Sequence, residues 1–215
     1  MVARHFQTLA GVAGQVLVNN VLYSSNFDSE TSGSIATGWA AIANTWQVGT
    51  TNPVSGAKSF GCTTASDGAI CSYTAGSTSQ ADQVFVISQK AAANTGFNGP
   101  WVRSSATANK GYFALLGSAR TSLTLFKCTG AGSYSSLGSA APGFTVTNGN
   151  TYKFETRAIG TLIEVRFWDA SGARPGTAQI SVTDSSATTG IPGIYFGADG
   201  GAGVGAFDDA LWTSS

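Results

Sequence analysis

The sequence predicts an all-β protein, a two-sheet antiparallel β-sandwich or jelly roll with a short N-terminal arm. Three observations predict it. Apolar and polar residues alternate with period two from about residue 23 onward, in short runs separated by Gly, Ser, Asn and Thr. Aromatics at 11%, together with many strand formers, argue against disorder. A chain of 215 residues also suits one sandwich domain and is long enough to bury a core without staples.

Residues 1–22 read differently from the rest. Phe6, Leu9, Ala13 and Val16 fall near helical spacing, but Gly11 and Gly14 weaken a helix. Val16 to Tyr23 reads equally as two extended pieces around Asn19-Asn20. The segment is expected to be an arm that docks on a neighbouring subunit through Phe6, Leu9, Val16 and Leu17, or else an edge strand of the domain formed by residues 23–215. Gln7, Gln15, Asn19 and Asn20 interrupt its apolar stretch, so a cleaved export signal is not expected.

The strands follow in order. Gln83 to Ser88 is apolar on both faces, as a central strand should be. Gly111 to Leu116 and Ser122 to Lys127 are spaced by a turn-length Gly117 to Thr121. Gly130 to Ser136 and Ala198 to Gly205 read as loops. In Thr151 to Arg157, Tyr152 and Phe154 oppose Lys153, Glu155 and Arg157. The return strand sets Ile163, Val165 and Phe167 against Glu164, Arg166 and Trp168, with Ile159-Gly160 at the turn. Ala178 to Thr183, Gly193 to Gly197 and Ala206 to Trp212 complete the series. Cys62 and Cys71 flank a turn-like Ala65 to Gly68 and are placed across a hairpin; the odd count of three favours buried free thiols, with a Cys62–Cys71 bond as the alternative.

Composition excludes several functions. Charged residues are 10% of the chain and cancel, 11 against 11, leaving no electrostatic footprint for nucleic acid or anionic lipid. No apolar run approaches the ~20 residues of a membrane span. His5 is the single histidine, there are three glutamates, and no Gly-x-Ser-x-Gly, phosphate-loop or His-Glu-x-x-His motif occurs. An enzyme is therefore not expected.

Taken in order, certain landmarks resemble a concanavalin A-like (laminin G-like) jelly roll: Phe27-Asp28, Gly38-Trp39, Trp46-Gln-Val, Trp101-Val-Arg103, Lys110-Gly-Tyr-Phe113, Leu123 to Lys127, Tyr152-Lys-Phe154, Gly160 to Ile163, Gly190 to Gly193 and Phe207-Asp-Asp209. The resemblance spans residues 24–213. It implies two stacked antiparallel sheets, in a family of lectins, carbohydrate-binding modules, glucanases and modules of viral particles. The glucanase Glu-x-Asp-x(x)-Glu strand is absent, and Glu155 and Glu164 read instead as members of a cross-strand ion-pair ladder.

Two sites are expected. An aromatic platform for sugar would draw on Trp101, Arg103, Tyr112 and Trp168, for which core packing is the competing role. A calcium ion, the one cofactor considered, would use Asp28, Asp208 and Asp209, as related sandwiches do where the first and last strands meet; the alternative is that they are turn and edge carboxylates. The favoured function is a non-enzymatic virion component, a decoration, cement or fibre module assembled in the host cytoplasm with copies of itself or other virion proteins. The alternative is a carbohydrate-binding module or lectin, secreted or on a particle surface, with glycans as partners.

Overall fold

The computed structural model describes residues 20–51, 53–63, 68–76, 79–91, 97–117, 119–130, 132–197 and 206–214. Those residues form fifteen strands in two antiparallel sheets and no helix. The eight-stranded sheet runs β13 (Ile180–Thr183), β12 (Leu162–Asp169), β11 (Thr151–Ile159), β6 (Gln83–Lys90), β15 (Ala206–Ser214), β4 (Ser59–Cys62) and β3 (Trp46–Gly49), with β1 (Asn20–Ser25) also paired to β15. The seven-stranded sheet runs β10 (Ser133–Ala140), β9 (Leu123–Gly130), β8 (Gly111–Leu116), β7 (Phe97–Ser104), β14 (Ile191–Gly197), β5 (Ala69–Tyr73) and β2 (Trp39–Ala43).

Alternation decides which side chains fill the space between the sheets. Phe85 and Ile87 of β6, Phe154 of β11 and Ile163, Val165 and Phe167 of β12 face inward and are fully buried. At one end Phe27, Trp39, Phe60 and Phe207 interlock with ring centroids 5.4–5.7 Å apart, each such pair adding about 1 kcal/mol beyond its area. The β11–β12 hairpin pairs Phe154 with Phe167 and Glu155 with Arg166, and its turn is Gly160-Thr161 rather than the expected Ile159-Gly160. Gly160 sits at φ 55° at the first central position of its two-residue turn, where a side chain would be strained.

Several expectations are corrected. Cys62 and Cys71 are not partners across a hairpin: β4 lies in one sheet and β5 in the other, so the chain between them crosses the sandwich. All three cysteines are buried and free. Ser133 to Ser136, read as loop, belong to β10; this edge strand pairs with β9 through two register shifts, which break the alternation that would have marked it as a strand. The sheet begins at Asn20 rather than Tyr23, since β1 pairs with β15 from Asn20 opposite Ser214. Phe6, Leu9, Val16 and Leu17 lie outside the described residues.

Candidate functional site

A cleft of about 360 Å³ opens where β7 ends, β14 begins and the chain leaves β5. Ser104, Ser105 and Ala106 form one wall, Gly190 and Ile191 another; Thr74 and Ser79 face them, and Lys110 stands at the mouth of β8. Its walls are pinned from below. Gln80 and Gly190 exchange backbone hydrogen bonds of 2.8 and 3.0 Å. The buried Gln83 amide donates to both the Gln80 and Gly190 carbonyls at 2.7 Å, while its oxygen accepts from the Arg103 amide at 3.1 Å. Gly190 is needed here, because a Cβ would run into the carbonyls of Arg103 and Ser104.

The four residues expected to make an aromatic platform are all buried. Trp101 and Tyr112 are 0% exposed, Arg103 1% and Trp168 7%, so none offers a ring face or head group to a sugar. Trp101 and Arg103 instead support the cleft from behind. Trp101 Nε1 donates to the Lys110 carbonyl at 3.0 Å. The Arg103 guanidinium donates to the carbonyls of Ala81, Ala187 and Gly160 at 2.7, 3.0 and 2.7 Å. Tyr112 points into the core between the sheets, where burial pushes its hydroxyl up to about 12. That hydroxyl donates to Asp184 at 2.7 Å and accepts from the Ala187 amide. Trp168 lies on the other sheet, on the same face as Glu164 and Arg166, as its parity predicted.

Sequence reasoning missed the neighbours of Trp101. Phe113, Tyr195 and Ile70 join it in a second apolar layer, with Phe126 and Tyr134 packed against it. Each alternates with an inter-sheet residue (Phe113 with Tyr112 and Ala114, Tyr195 with Ile194 and Phe196), so this layer covers the outer face of the seven-stranded sheet. Phe113 and Tyr195 stack at 4.5 Å. The available signal was that β8 and β14 are apolar on both faces.

Asp28, Asp208 and Asp209 do converge, on the loop between β3 and β4. Asp28 Oδ1 accepts from the amides of Ala57 and Lys58 at 2.8 and 2.9 Å. Asp208 Oδ2 accepts from the Ser55 amide and hydroxyl at 3.1 and 2.9 Å, and Asp209 accepts from Ser88 at 3.0 Å. Their oxygens are engaged by the chain's own donors, and among the described residues no three His, Cys, Asp or Glu side chains group to hold a metal. The donor set fits a loop clamp rather than a calcium site.

Burial, reinforced by the neighbouring Asp209 charge, pushes the Asp208 carboxyl up to about 6. The folded state therefore holds a proton that the unfolded chain releases near pH 4, and stability falls as pH rises from about 4 through 6. The loss corresponds to about 3 kcal/mol by pH 7. Asp208→Asn should flatten that slope in urea melts between pH 4 and 7; parallel slopes for both proteins would refute the assignment.

Every described carboxylate accepts a hydrogen bond from the chain. The predicted ion-pair ladder is present: Arg157 meets Glu164 at 2.7 Å, and Arg166 meets Glu155 and Glu164 at 3.1 and 3.2 Å. Lys153 departs from it and donates to Ser88.

No family model matches the sequence, nor does any curated protein. Solved structures do match. The carbohydrate binding module CBM66 from Bacillus subtilis superposes with a TM-score of 0.61 at 19% identity, over 83% of this chain and 96% of that one. A Bacillus subtilis protein of unknown function with a galectin-like fold gives 0.60 at 10% identity, over 98% of each chain. The fold is the concanavalin A-like jelly roll. A third jelly roll of similar extent is domain 4 of AbnA, a GH43 extracellular arabinanase from Geobacillus stearothermophilus solved with arabinotriose, at 0.51 and 10% identity over 92% of this chain and 93% of that one. At these identities the likeness extends to architecture alone.

Proposed function

We propose that this protein is a non-catalytic carbohydrate-binding module or lectin, and that the cleft between β7, β14 and the end of β5 is its glycan site. The observation that carries the reading is the cleft's lining. Hydroxyl-bearing Thr74, Ser79, Ser104 and Ser105 share the lining with the apolar Ile191 and Ala106, the mix of polar and apolar residues a sugar's hydroxyl edge and C–H face require. The likeness to a carbohydrate binding module and to an arabinanase domain solved with arabinotriose supports it. A glycan array followed by titration, in calcium and in chelator, is expected to find a ligand. Ala106→Trp, at an exposed position, should fill the cleft and abolish binding without unfolding the protein. An array with no binder, or full affinity in that variant, would remove the cleft as the site.

A second reading, a structural subunit of a virion or other particle, is favoured by β1. Among the described residues this strand pairs with β15 alone, and Val21, Leu22 and Leu211 are 49%, 36% and 36% exposed, apolar surface that another copy could cover. Sedimentation of the full chain separates the two: a regular assembly supports this role, and a monomer at high concentration excludes it.

A further inference from the structure

We infer that the cleft selects an acidic sugar, one bearing a carboxylate or a sulfate, and that Lys110 is the residue that selects it. This rests on the reading of the cleft as a glycan site and names the ligand class that site takes.

The backbone of Lys110 is held rigidly. Its carbonyl accepts from Trp101 Nε1, and the ring of Trp101 is fully buried. The next residue, Gly111, has φ 108° and lies so close to β7 that a Cβ would press on Trp101 Nε1 and on the Val102 and Arg103 carbonyls. Its side chain is therefore launched from a fixed point on the cleft wall.

The charge it carries there is uncompensated. Most other described cations are tied down: Lys127 to Asp184, Arg157 and Arg166 to Glu164, Arg174 to Glu155, and Lys58 to the Glu30 carbonyl, while the exposed Lys90 is not among the residues that line the cleft. Lys110 makes no such bond among the described residues, and no carboxylate lines the cleft. A half-buried lysine in the lining of a cleft, with no anion among the described residues to pair with, favours a ligand that brings one. The ammonium supplies charge and three donors, and the exposed Ser79 lines the same cleft for a ring hydroxyl.

Matched pairs of oligosaccharides test this: galacturonate against galactose oligomers, and sulfated against unsulfated galactans, with inorganic sulfate as a separate arm. The acidic member of a pair should bind at least about tenfold more tightly, and Lys110→Gln should erase the difference. Lys110→Arg should keep part of it, and raising salt from about 0.05 to 0.5 M should shrink it in the unmodified protein. Melting curves check that the variants fold. Equal affinity for neutral and acidic members, unchanged in Lys110→Gln, overturns the inference and leaves the glycan reading intact. Inorganic sulfate binding as tightly as the sulfated sugar overturns it as well. Binding of neither member removes the cleft as a glycan site, and the inference with it.

Discussion

Replacing Arg103 by methionine should destabilise the protein by about 4 kcal/mol and weaken the cleft at the same time. The guanidinium is 1% exposed and bonds the carbonyls of Ala81, Ala187 and Gly160. Burial lowers its pKa from the usual arginine value, but the nearby Asp82 carboxylate at 3.7 Å opposes that shift and the group stays charged. Methionine fills much of the volume and donates nothing, so three carbonyls lose their partner at about 1–3 kcal/mol each where water cannot replace it. Those near the surface rehydrate, which keeps the total near the lower end of that sum. Ala81 follows Gln80, whose bridge to Gly190 forms the cleft wall, so ligand affinity should fall with stability. Urea denaturation and glycan titration of the same variant measure both. A loss under about 1 kcal/mol would show that the carbonyls find other partners.

The strands were legible where one face is wet. In β11 and β12 the alternation of Tyr152 and Phe154 with Lys153 and Glu155 placed the side chains on the correct faces, and the ladder it implied is made in part by Arg157 with Glu164. Legibility failed in two physical situations. The small polar residues of β10 show no clean period because irregularities at Ser133/Tyr134 and Ser136/Gly138 break the alternation, leaving only Tyr134, Leu137 and Ala140 to pack on the apolar layers. Trp168 was a ligand candidate because parity places it off the inter-sheet core, yet parity reports a direction and not whether something covers it, and both Trp168 and Trp101 take the core-packing role that was the default for them. The cleft itself was not legible. Its lining comes from Thr74, Ser104, Lys110 and Gly190, residues far apart in sequence and ordinary in type. What positions them is hydrogen bonds from elsewhere in the chain, Gln83 on Gly190 and Trp101 on Lys110, and no local pattern announces those.

The counterpart on the other sheet is Glu155, where stability and ligand binding should separate. Its carboxylate is 1% exposed and takes a two-pronged contact from Arg174, at 2.6 and 2.5 Å, plus Arg166 at 3.1 Å. Glu155→Ala would leave Arg166, only 4% exposed, with Glu164 and the Pro175 and Gly176 carbonyls as its remaining partners. Removing one member of a buried ionic group costs about 3–5 kcal/mol, and the surviving Glu164 contact puts the expected loss at about 3. The ions themselves need not be net stabilising, since taking them out of water is costly. Glu155→Leu combined with Arg166→Met and Arg174→Met should therefore recover most of that loss, which a purely attractive network would not permit. Because the cleft lies on the seven-stranded sheet, Glu155→Ala should keep the parent's glycan affinity at temperatures where it is folded. An affinity loss in Glu155→Ala matching that of Arg103→Met would mean the two sheets are coupled through the core, and that the cleft depends on the whole sandwich rather than on the strands that line it.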